Sequence, residues 1–197
     1  MRLYSRYFKR LFDIVFSLTI LTLFGWLILL CWLIAAVETR SNGFFKQSRI
    51  GQYGKPFNML KIKTMHNTFT NRSSITAVCA SDVTRSGIIF RRYKLDELPQ
   101  FWHVLTGKMS IVGPRPDVVG YADKLTGDAA NILKLKPGIT GPASIKYRNE
   151  DMLLVQSINP QHLNDNIIWP DKVSINLEYY RNCSFKNDLY YMVRTVF

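Results

Sequence analysis

Cysteine and histidine are scarce in this 197-residue sequence, and this scarcity excludes several classes of protein. Three widely spaced cysteines exclude a disulfide framework and a Cys-x-x-Cys metal site, and they favour a reducing compartment. They are Cys31, Cys79 and Cys183. The three histidines, at positions 66, 103 and 162, show no metal-ligand spacing. There is no repeat or low-complexity stretch, and a hydrophobic content of 47% excludes a disordered chain.

Acidic residues are also few, because 14 Asp and Glu face 26 Lys and Arg. The resulting net charge of +12 predicts an anionic partner. Nucleic acid, lipid head groups and a phosphorylated substrate all meet that description.

One long segment has no charge at all. Residues 14–37, between Asp13 and Glu38, form a run of 24 uncharged residues. As a helix this run is about 36 Å long, enough to cross a hydrocarbon core of about 30 Å. A secretory signal is disfavoured, because the run is too long and no small-residue cleavage site follows Ala36. The segment therefore predicts a membrane element.

Basic residues flank this segment on both sides, which a single crossing cannot reconcile with the positive-inside rule. One interpretation is a re-entrant hairpin that breaks near Gly25 and returns to the cytoplasmic side. The other is an ordinary spanning helix, and the residues alone favour it, because membrane helices tolerate Gly. The flanking residues are Arg2, Arg6, Lys9 and Arg10 before the segment, and Arg40, Lys46, Arg49, Lys55, Lys61 and Lys63 after it.

The remaining 160 residues form one basic unit, so we predict a membrane segment at 1–37 and a compact domain at 38–197. Residues 44–50 and 57–63 flank a Gly-rich turn and predict a β-hairpin. Helices are predicted from Asp96 to Gly107 and from a cap at Asp117 towards Leu135. Residues 109–112 predict a short buried stretch and residues 136–142 a loop. The apolar spacing of residues 185–196 predicts a helix that packs on the core or lies on a membrane.

Asp96 and Glu97 are adjacent carboxylates at a predicted helix start, and three cations, Arg91, Arg92 and Lys94, precede them. Acids in a helical first turn are one interpretation. The other is an anion site that holds a phosphate beside a carboxylate, which would attack phosphorus or bind Mg²⁺. The spacing does not decide between the two.

Arg115 lies between Pro114 and Pro116, whose rings restrict the backbone. An arginine presented in this way could grip a phosphate with two hydrogen bonds. A solvated arginine in a surface turn is an equally good interpretation.

Several segments, in their order along the chain, resemble the bacterial sugar transferase family. Its relevant members are the small monotopic phosphoglycosyl transferases, which start lipid-linked glycan assembly. The resemblance covers nearly the whole chain, and its three middle motifs are the most specific. They are Leu95-Asp96-Glu97-Leu98-Pro99-Gln100, Ser110-Ile111-Val112-Gly113-Pro114-Arg115-Pro116 and Lys136-Pro137-Gly138-Ile139-Thr140-Gly141. Residues 9–13, 45–51 and 61–65 also match, as does the closing segment with Asn182, Ser184 and Asp188.

The resemblance implies transfer of a phospho-sugar from a nucleotide diphosphate sugar, such as a UDP-sugar, to polyprenol phosphate. Nucleoside monophosphate is released. Asp96 is then the nucleophile that forms a covalent phospho-sugar intermediate, Glu97 assists it, and Mg²⁺, held by this pair, neutralises the diphosphate. Because two polyanions must meet, cations have to screen their repulsion. The candidates for that role are Lys61, Lys63, Arg91, Arg92 and Arg115.

The resemblance also implies an architecture and a location. We expect an α/β fold, mostly helical with a small β-hairpin, a re-entrant N-terminal membrane helix and amphipathic interfacial helices. The domain would lie on the cytoplasmic face of the bacterial inner membrane and bind no nucleic acid. Where the family breaks its membrane helix with a Ser-Pro pair, this sequence has Gly25-Trp26, so Gly25 must supply the break.

Two functions of other classes remain open at this point. Net charge and anchor alone would suit a membrane-tethered adaptor that binds anionic lipid or nucleic acid without catalysis. An assembly protein that recruits partners through its C-terminal helix is the other. Dependence of turnover on Asp96 distinguishes the transferase from both.

Overall fold

The computed structural model of the chain describes residues 7–66 and 82–197. It begins with a long helix, α1 (Lys9–Thr39), followed by a hairpin of β1 (Phe44–Ile50) and β2 (Pro56–Ile62). Next come α2 (Arg85–Arg92), a 3₁₀ turn (Leu95–Glu97) and α3 (Gln100–Leu105). The predicted hairpin is confirmed, with Phe44 opposite Ile62 and Ile50 opposite Pro56.

The second half is built around two short parallel strands, β3 (Ser110–Val112) and β4 (Gly138–Thr140). Helices α4 (Pro142–Lys146), α5 (Glu150–Gln156) and α6 (Pro160–Leu163) follow. A π-helical turn, Asn164–Ile168, leads into α7 (Trp169–Asn182), and α8 (Phe185–Val196) ends the described chain. The mostly helical fold with a small sheet agrees with the expected class.

Helix α1 lies against the domain along one stripe of its surface. The buried residues of this stripe recur every four positions at each end of the helix, as one helical face requires. They are Lys9, Asp13, Ser17, Cys31, Ala35 and Thr39. At the N-terminal end, Asp13 accepts hydrogen bonds from the Ser110 hydroxyl and the Ile111 amide. At the other end, Cys31 and Ala35 pack with Ile62 and Phe90.

The opposite face of α1 is exposed and apolar. This helix is long and apolar enough to cross a membrane by length and composition. Its exposed side chains include Leu11, Val15, Leu18, Leu23, Trp26, Leu29, Leu33 and Val37. Exposed apolar surface of this extent marks an interaction or membrane site.

The expected break at Gly25 is wrong, because α1 runs without interruption from Lys9 to Thr39. Gly25 keeps its backbone N–H, and its low helix propensity costs only about 1 kcal/mol relative to Ala. Thr22 donates its hydroxyl to the carbonyls of Leu18 and Thr19, but this side-chain contact leaves the helix intact. The helix also extends two residues past the boundary expected at 37.

Two further expectations fail between Asp117 and Pro142. No α-helix starts at Asp117; this part of the described chain forms 3₁₀ segments at Ala122–Lys124 and Gly127–Lys134. The expected loop at 136–142 contains β4, which pairs with β3. A three-residue strand buried on both sides has too few residues to show a periodic pattern.

The predicted C-terminal helix is confirmed as α8, and much of its apolar face is exposed. Phe185, Leu189 and Val193 are among its exposed residues, whereas Met192 packs on the core. Phe185 contacts the rings of Phe8 and Phe12, so the exposed apolar surfaces of α8 and α1 meet.

Asp188, which the sequence marks through the family motif, ties three helices together. Its carboxylate pairs with Lys9 of α1 and accepts a hydrogen bond from the Tyr179 hydroxyl of α7. All three residues are buried. Separating α8 from α1 would leave the Lys9 and Asp188 charges buried without a partner, which costs free energy. These contacts therefore anchor α8 to α1.

Candidate active site

The carboxylate pair lies in the 3₁₀ turn Leu95–Glu97, which packs against β2, α2 and α1. Lys94, just before the turn, has a left-handed backbone with φ of 56°. A lysine in this conformation is uncommon, and it turns the chain sharply after α2. The expected α-helix starting near Asp96 begins instead at Gln100, after Pro99, and ends at Leu105.

Glu97 is held by two cations. Its Oε1 accepts hydrogen bonds from Lys61 Nζ at 2.8 Å and from Arg115 Nη2 at 2.7 Å. Burial raises the pKa of Glu97, but the charges and hydrogen bonds of Arg115 and Lys61 outweigh it and hold the pKa well below its usual range. Glu97 is therefore a fixed negative charge at neutral pH.

Asp96 is buried, and its Oδ1 has no hydrogen-bond partner. Burial and the charge of Glu97 raise the pKa of Asp96, while Lys61, Lys94 and Arg91 oppose that shift. A carboxylate with few hydrogen bonds and a raised pKa is more nucleophilic than a solvated one, provided that the pH exceeds its pKa.

The predicted cations differ in what they contact. Lys61 and Arg115 meet at Glu97. The Arg91 guanidinium donates to Thr64, and its charge acts on Asp96. Arg92 lies over the Tyr93 ring, and Lys63 donates to Ser41 at the end of α1. Of the five, Lys61, Arg91 and Arg115 thus act on the carboxylate pair.

A cavity of about 390 Å³ opens beside Glu97. Its lining contains aromatic residues, such as Tyr147 and Trp169, and both cations and acids. The cations are Lys94, Arg115, Arg148 and Lys172, and the acids are Glu97, Asp117, Glu150 and Asp151. This volume lies within the range of small-molecule sites. The cavity and its cations suit a phosphorylated ligand.

Sequence reasoning missed Asp117, Arg148 and Lys172 as residues of this cavity. Asp117 directly follows the motif at 110–116, and that proximity is the one signal that could have found it. Burial and the charge of Glu150 raise its pKa to about 6, against the opposing charges of Lys172 and Arg49. Arg148 and Lys172 lie in segments that carry no motif.

The donor atoms present fit a magnesium ion only in part. Among the described residues, no group of three or more His, Cys, Asp or Glu side chains could hold a metal. Mg²⁺, however, is commonly bound by one or two carboxylates and completed by substrate phosphates and water. The unpartnered Asp96 Oδ1 beside Glu97 meets that simpler requirement.

These features define a class of site: a buried carboxylate beside a fixed carboxylate, next to a cavity with cations in its lining. Comparison with known proteins is consistent with that class. A family profile described as "Bacterial sugar transferase" matches residues 4–197. The chain therefore belongs to the bacterial sugar transferase family, and the resemblance noted in the sequence is confirmed.

Individual relatives support the same assignment. The chain is 35% identical over 190 residues to "Uncharacterized sugar transferase EpsL" of Bacillus subtilis, covering 95% of this chain and 85% of that protein. It is 37% identical to "UDP-glucose:undecaprenyl-phosphate glucose-1-phosphate transferase" of Escherichia coli, covering 98% of this chain but 40% of that protein. A Caulobacter vibrioides protein with the same description is 32% identical, and the match covers 95% of this chain and 68% of that protein.

Proposed function

We propose that this protein transfers a sugar phosphate from a nucleotide diphosphate sugar to undecaprenyl phosphate and releases nucleoside monophosphate. Relatives described as glucose-1-phosphate and galactose phosphotransferases that use undecaprenyl phosphate support this reaction. The observation that carries the proposal is the buried Asp96 carboxylate, whose Oδ1 has no hydrogen-bond partner, beside a fixed Glu97 and a cavity with Lys94 and Arg115 in its lining. Family membership favours the transferase over a non-catalytic adaptor.

In the first step, an Asp96 oxygen attacks the phosphorus that bears the sugar. The bond from that phosphorus to the bridging oxygen breaks, and nucleoside monophosphate leaves with the electron pair. In the second step, an oxygen of the lipid phosphate attacks the same phosphorus and releases the Asp96 carboxylate. The product is a lipid diphosphate sugar, so one bond forms and one breaks in each step.

The neighbours of Asp96 have distinct tasks in this mechanism. Lys61 and Arg115 hold Glu97 in place and bring positive charge to the edge of the cavity, where the diphosphate binds. Lys94 and Arg91 lower the cost of an ionised Asp96. Asp96 and Glu97 would hold Mg²⁺, which when bound neutralises charge on the diphosphate.

The exposed apolar surfaces of α1 and α8 support a location at the membrane. The turn bearing the carboxylates packs against α1, so the site lies beside the most apolar helix of the described chain. A lipid phosphate at head-group depth would then reach Asp96 while its isoprenoid chain stays in the bilayer. We place the domain on the cytoplasmic face of the inner membrane, where nucleotide sugars are made.

The decisive experiment detects the covalent intermediate. The purified protein is incubated with UDP-glucose or UDP-galactose labelled in the sugar phosphate, with Mg²⁺ and without acceptor. We expect label on a peptide that contains Asp96, and release of labelled lipid once undecaprenyl phosphate is added. Asp96→Asn should take up no label and lose activity by orders of magnitude, while Asp123→Asn, an exposed control, should behave as the parent.

Three outcomes would contradict the proposal. Turnover without label on the protein under quenched conditions would favour direct attack by the lipid phosphate. Parental rates in Asp96→Asn, with deamidation excluded by mass spectrometry, would remove Asp96 from the mechanism. Absence of nucleoside monophosphate release with a full panel of nucleotide sugars would contradict the transferase itself.

A further inference from the structure

The cavity beside Glu97 has polar groups in its lining that the proposed chemistry does not use. Asp117, Ser144 and Asn176 line it, as does Trp169. Asn176 lies on α7 and is 7% exposed, and its Oδ1 has no hydrogen-bond partner. The Ser144 hydroxyl, on α4, is likewise buried and unpartnered. Buried polar atoms are normally hydrogen-bonded, and two residues that line this cavity each carry one that is not, which points to a ligand for them.

The hydrogen-bonding groups of these residues argue against the diphosphate. Asp117 is a carboxyl group, and the unpartnered atom of Asn176 is a carbonyl oxygen, which can only accept a hydrogen bond. Phosphate diester oxygens have no hydrogen to donate to these acceptors. The cations Lys94 and Arg115 line the same cavity and suit the phosphates better.

A ligand for these residues must supply several hydroxyl donors. An amide oxygen, a carboxyl group and a hydroxyl can together accept from neighbouring O–H groups of a sugar ring. A uracil ring has a single N–H to donate, whereas a sugar ring has several hydroxyl groups. The indole of Trp169 adds an apolar surface against which the C–H face of a sugar can pack.

We propose that Asp117, Ser144 and Asn176 form the subsite that binds the hydroxyl groups of the donor sugar and selects which sugar is transferred. The proposal rests on the proposed function, because it names the part of the donor that this cavity recognises. Sites built to hydrogen-bond a hydroxyl discriminate strongly against analogues that lack it or misplace it.

The test separates sugar recognition from nucleotide recognition. Dissociation constants of UDP, UDP-glucose, UDP-galactose and their N-acetyl counterparts are measured by calorimetry in the Asp96→Asn background, where no transfer is expected. Each dissociation constant is measured again with Asn176→Ala and with Asn182→Ala. Asn182 is an exposed residue of the same helix and lies outside the cavity lining. Turnover of each donor is measured separately with Asp96 intact.

We expect one sugar to bind more tightly than UDP and than its epimer. Asn176→Ala should weaken binding of that donor about tenfold, bring the epimers within about threefold of each other, and leave UDP within about twofold. Asn182→Ala should change none of these constants. Thermal unfolding of both variants checks that they are folded.

The opposing outcomes are equally specific. Equal loss of affinity for UDP and for the UDP-sugars would place the nucleoside at these residues and overturn the proposal. So would unchanged affinities, or sugars that add nothing to UDP binding. Selective sugar binding without turnover of any donor would contradict the proposed function and leave the subsite standing.

Discussion

At the scale of single residues, burial and the charge of Glu97 together raise the pKa of Asp96. In the proposed mechanism Asp96 attacks only when ionised, so activity should fall as the pH drops through this raised pKa. Glu97→Gln removes a negative neighbour that helps to raise this pKa. The same substitution removes the carboxylate that pairs with Lys61 and Arg115, so the positive charge of both side chains is no longer neutralised.

We therefore expect the acid limb of the rate profile of Glu97→Gln to move to lower pH. The rate at its plateau should fall about 100-fold, because the fixed carboxylate no longer orients the site. The measurement is kcat/KM for nucleoside monophosphate release between pH 4 and 9. Glu178→Gln, on an exposed part of α7, is the matched control. An acid limb that stays in place would show that Glu97 does not act on Asp96.

Asp117 is a residue whose ionised form destabilises the folded protein. Burial raises the pKa of Asp117 from its ordinary 3.8 to about 6 in the folded protein, so folding favours its neutral form. Well below pH 3.8 the group is neutral in both states and costs nothing. As the pH rises from 3.8 to about 6 the folded state loses stability relative to the unfolded state, and above that range the loss stays constant.

Asp117→Asn should consequently stabilise the protein at pH 7.5, by at most about 3 kcal/mol. The gain should shrink towards zero near pH 4. Thermal unfolding midpoints across this pH range check the expectation. A variant that is less stable than the parent at neutral pH would show that the Asp117 charge is stabilised by its cationic neighbours.

At the scale of elements, two glycines have opposite roles. A Cβ at Gly138 would lie 2.2 Å from the Gly113 nitrogen and 2.5 Å from the Thr140 oxygen, so β3 and β4 pair only if residue 138 is glycine. This pairing sets the position of the loop that carries Arg115. Gly25, within α1, has nothing within 4 Å of such an atom.

We expect Gly138→Ala to destabilise the protein by roughly 2–4 kcal/mol and to reduce activity. Gly25→Ala should instead stabilise α1 by up to about 1 kcal/mol and leave activity intact. Thermal unfolding in detergent and transferase assays compare the two. Loss of activity or membrane binding in Gly25→Ala would show that the helix needs a break there after all.

At the scale of the whole molecule, α1 touches the same domain at both ends. Lys9 pairs with Asp188 at its start, and Glu38 accepts from the Arg85 and Ser86 amides at its finish. A helix of 31 residues is about 46 Å long, so a perpendicular crossing would separate these contacts by a bilayer. The contacts at both ends of α1 are preserved if the two ends lie on the same side of the membrane.

Thiol labelling checks this topology in a variant that lacks the native cysteines. Tyr7→Cys, at an exposed position before α1, should be as protected from an impermeant reagent in intact spheroplasts as Lys46→Cys on the domain. Both should label after permeabilisation. Labelling of Tyr7→Cys alone from outside would establish a true crossing and contradict the one-sided arrangement. Arg2 and Arg6, two of the basic residues that precede the uncharged segment, lie outside the described residues.

The sequence by itself determined the long apolar N-terminal helix, the hairpin, the C-terminal helix and the candidate carboxylates Asp96 and Glu97. Each depends on local pattern: an uncharged run, alternation around a Gly-rich turn, apolar spacing or an adjacent pair of acids. The specific motifs also determined the family, whose profile matches residues 4–197.

Only the tertiary structure decided which distant side chains and strands pair with one another. Lys61 and Arg115 meet at Glu97 from positions 36 and 18 residues away in the chain, and such pairings leave no periodic trace in a single sequence. The strand at 138–140 depends on β3 for its hydrogen bonds and has no pattern of its own. The burial of Asn176 was likewise decided by packing, because burial is a property of the assembled fold rather than of a residue's neighbours in the chain.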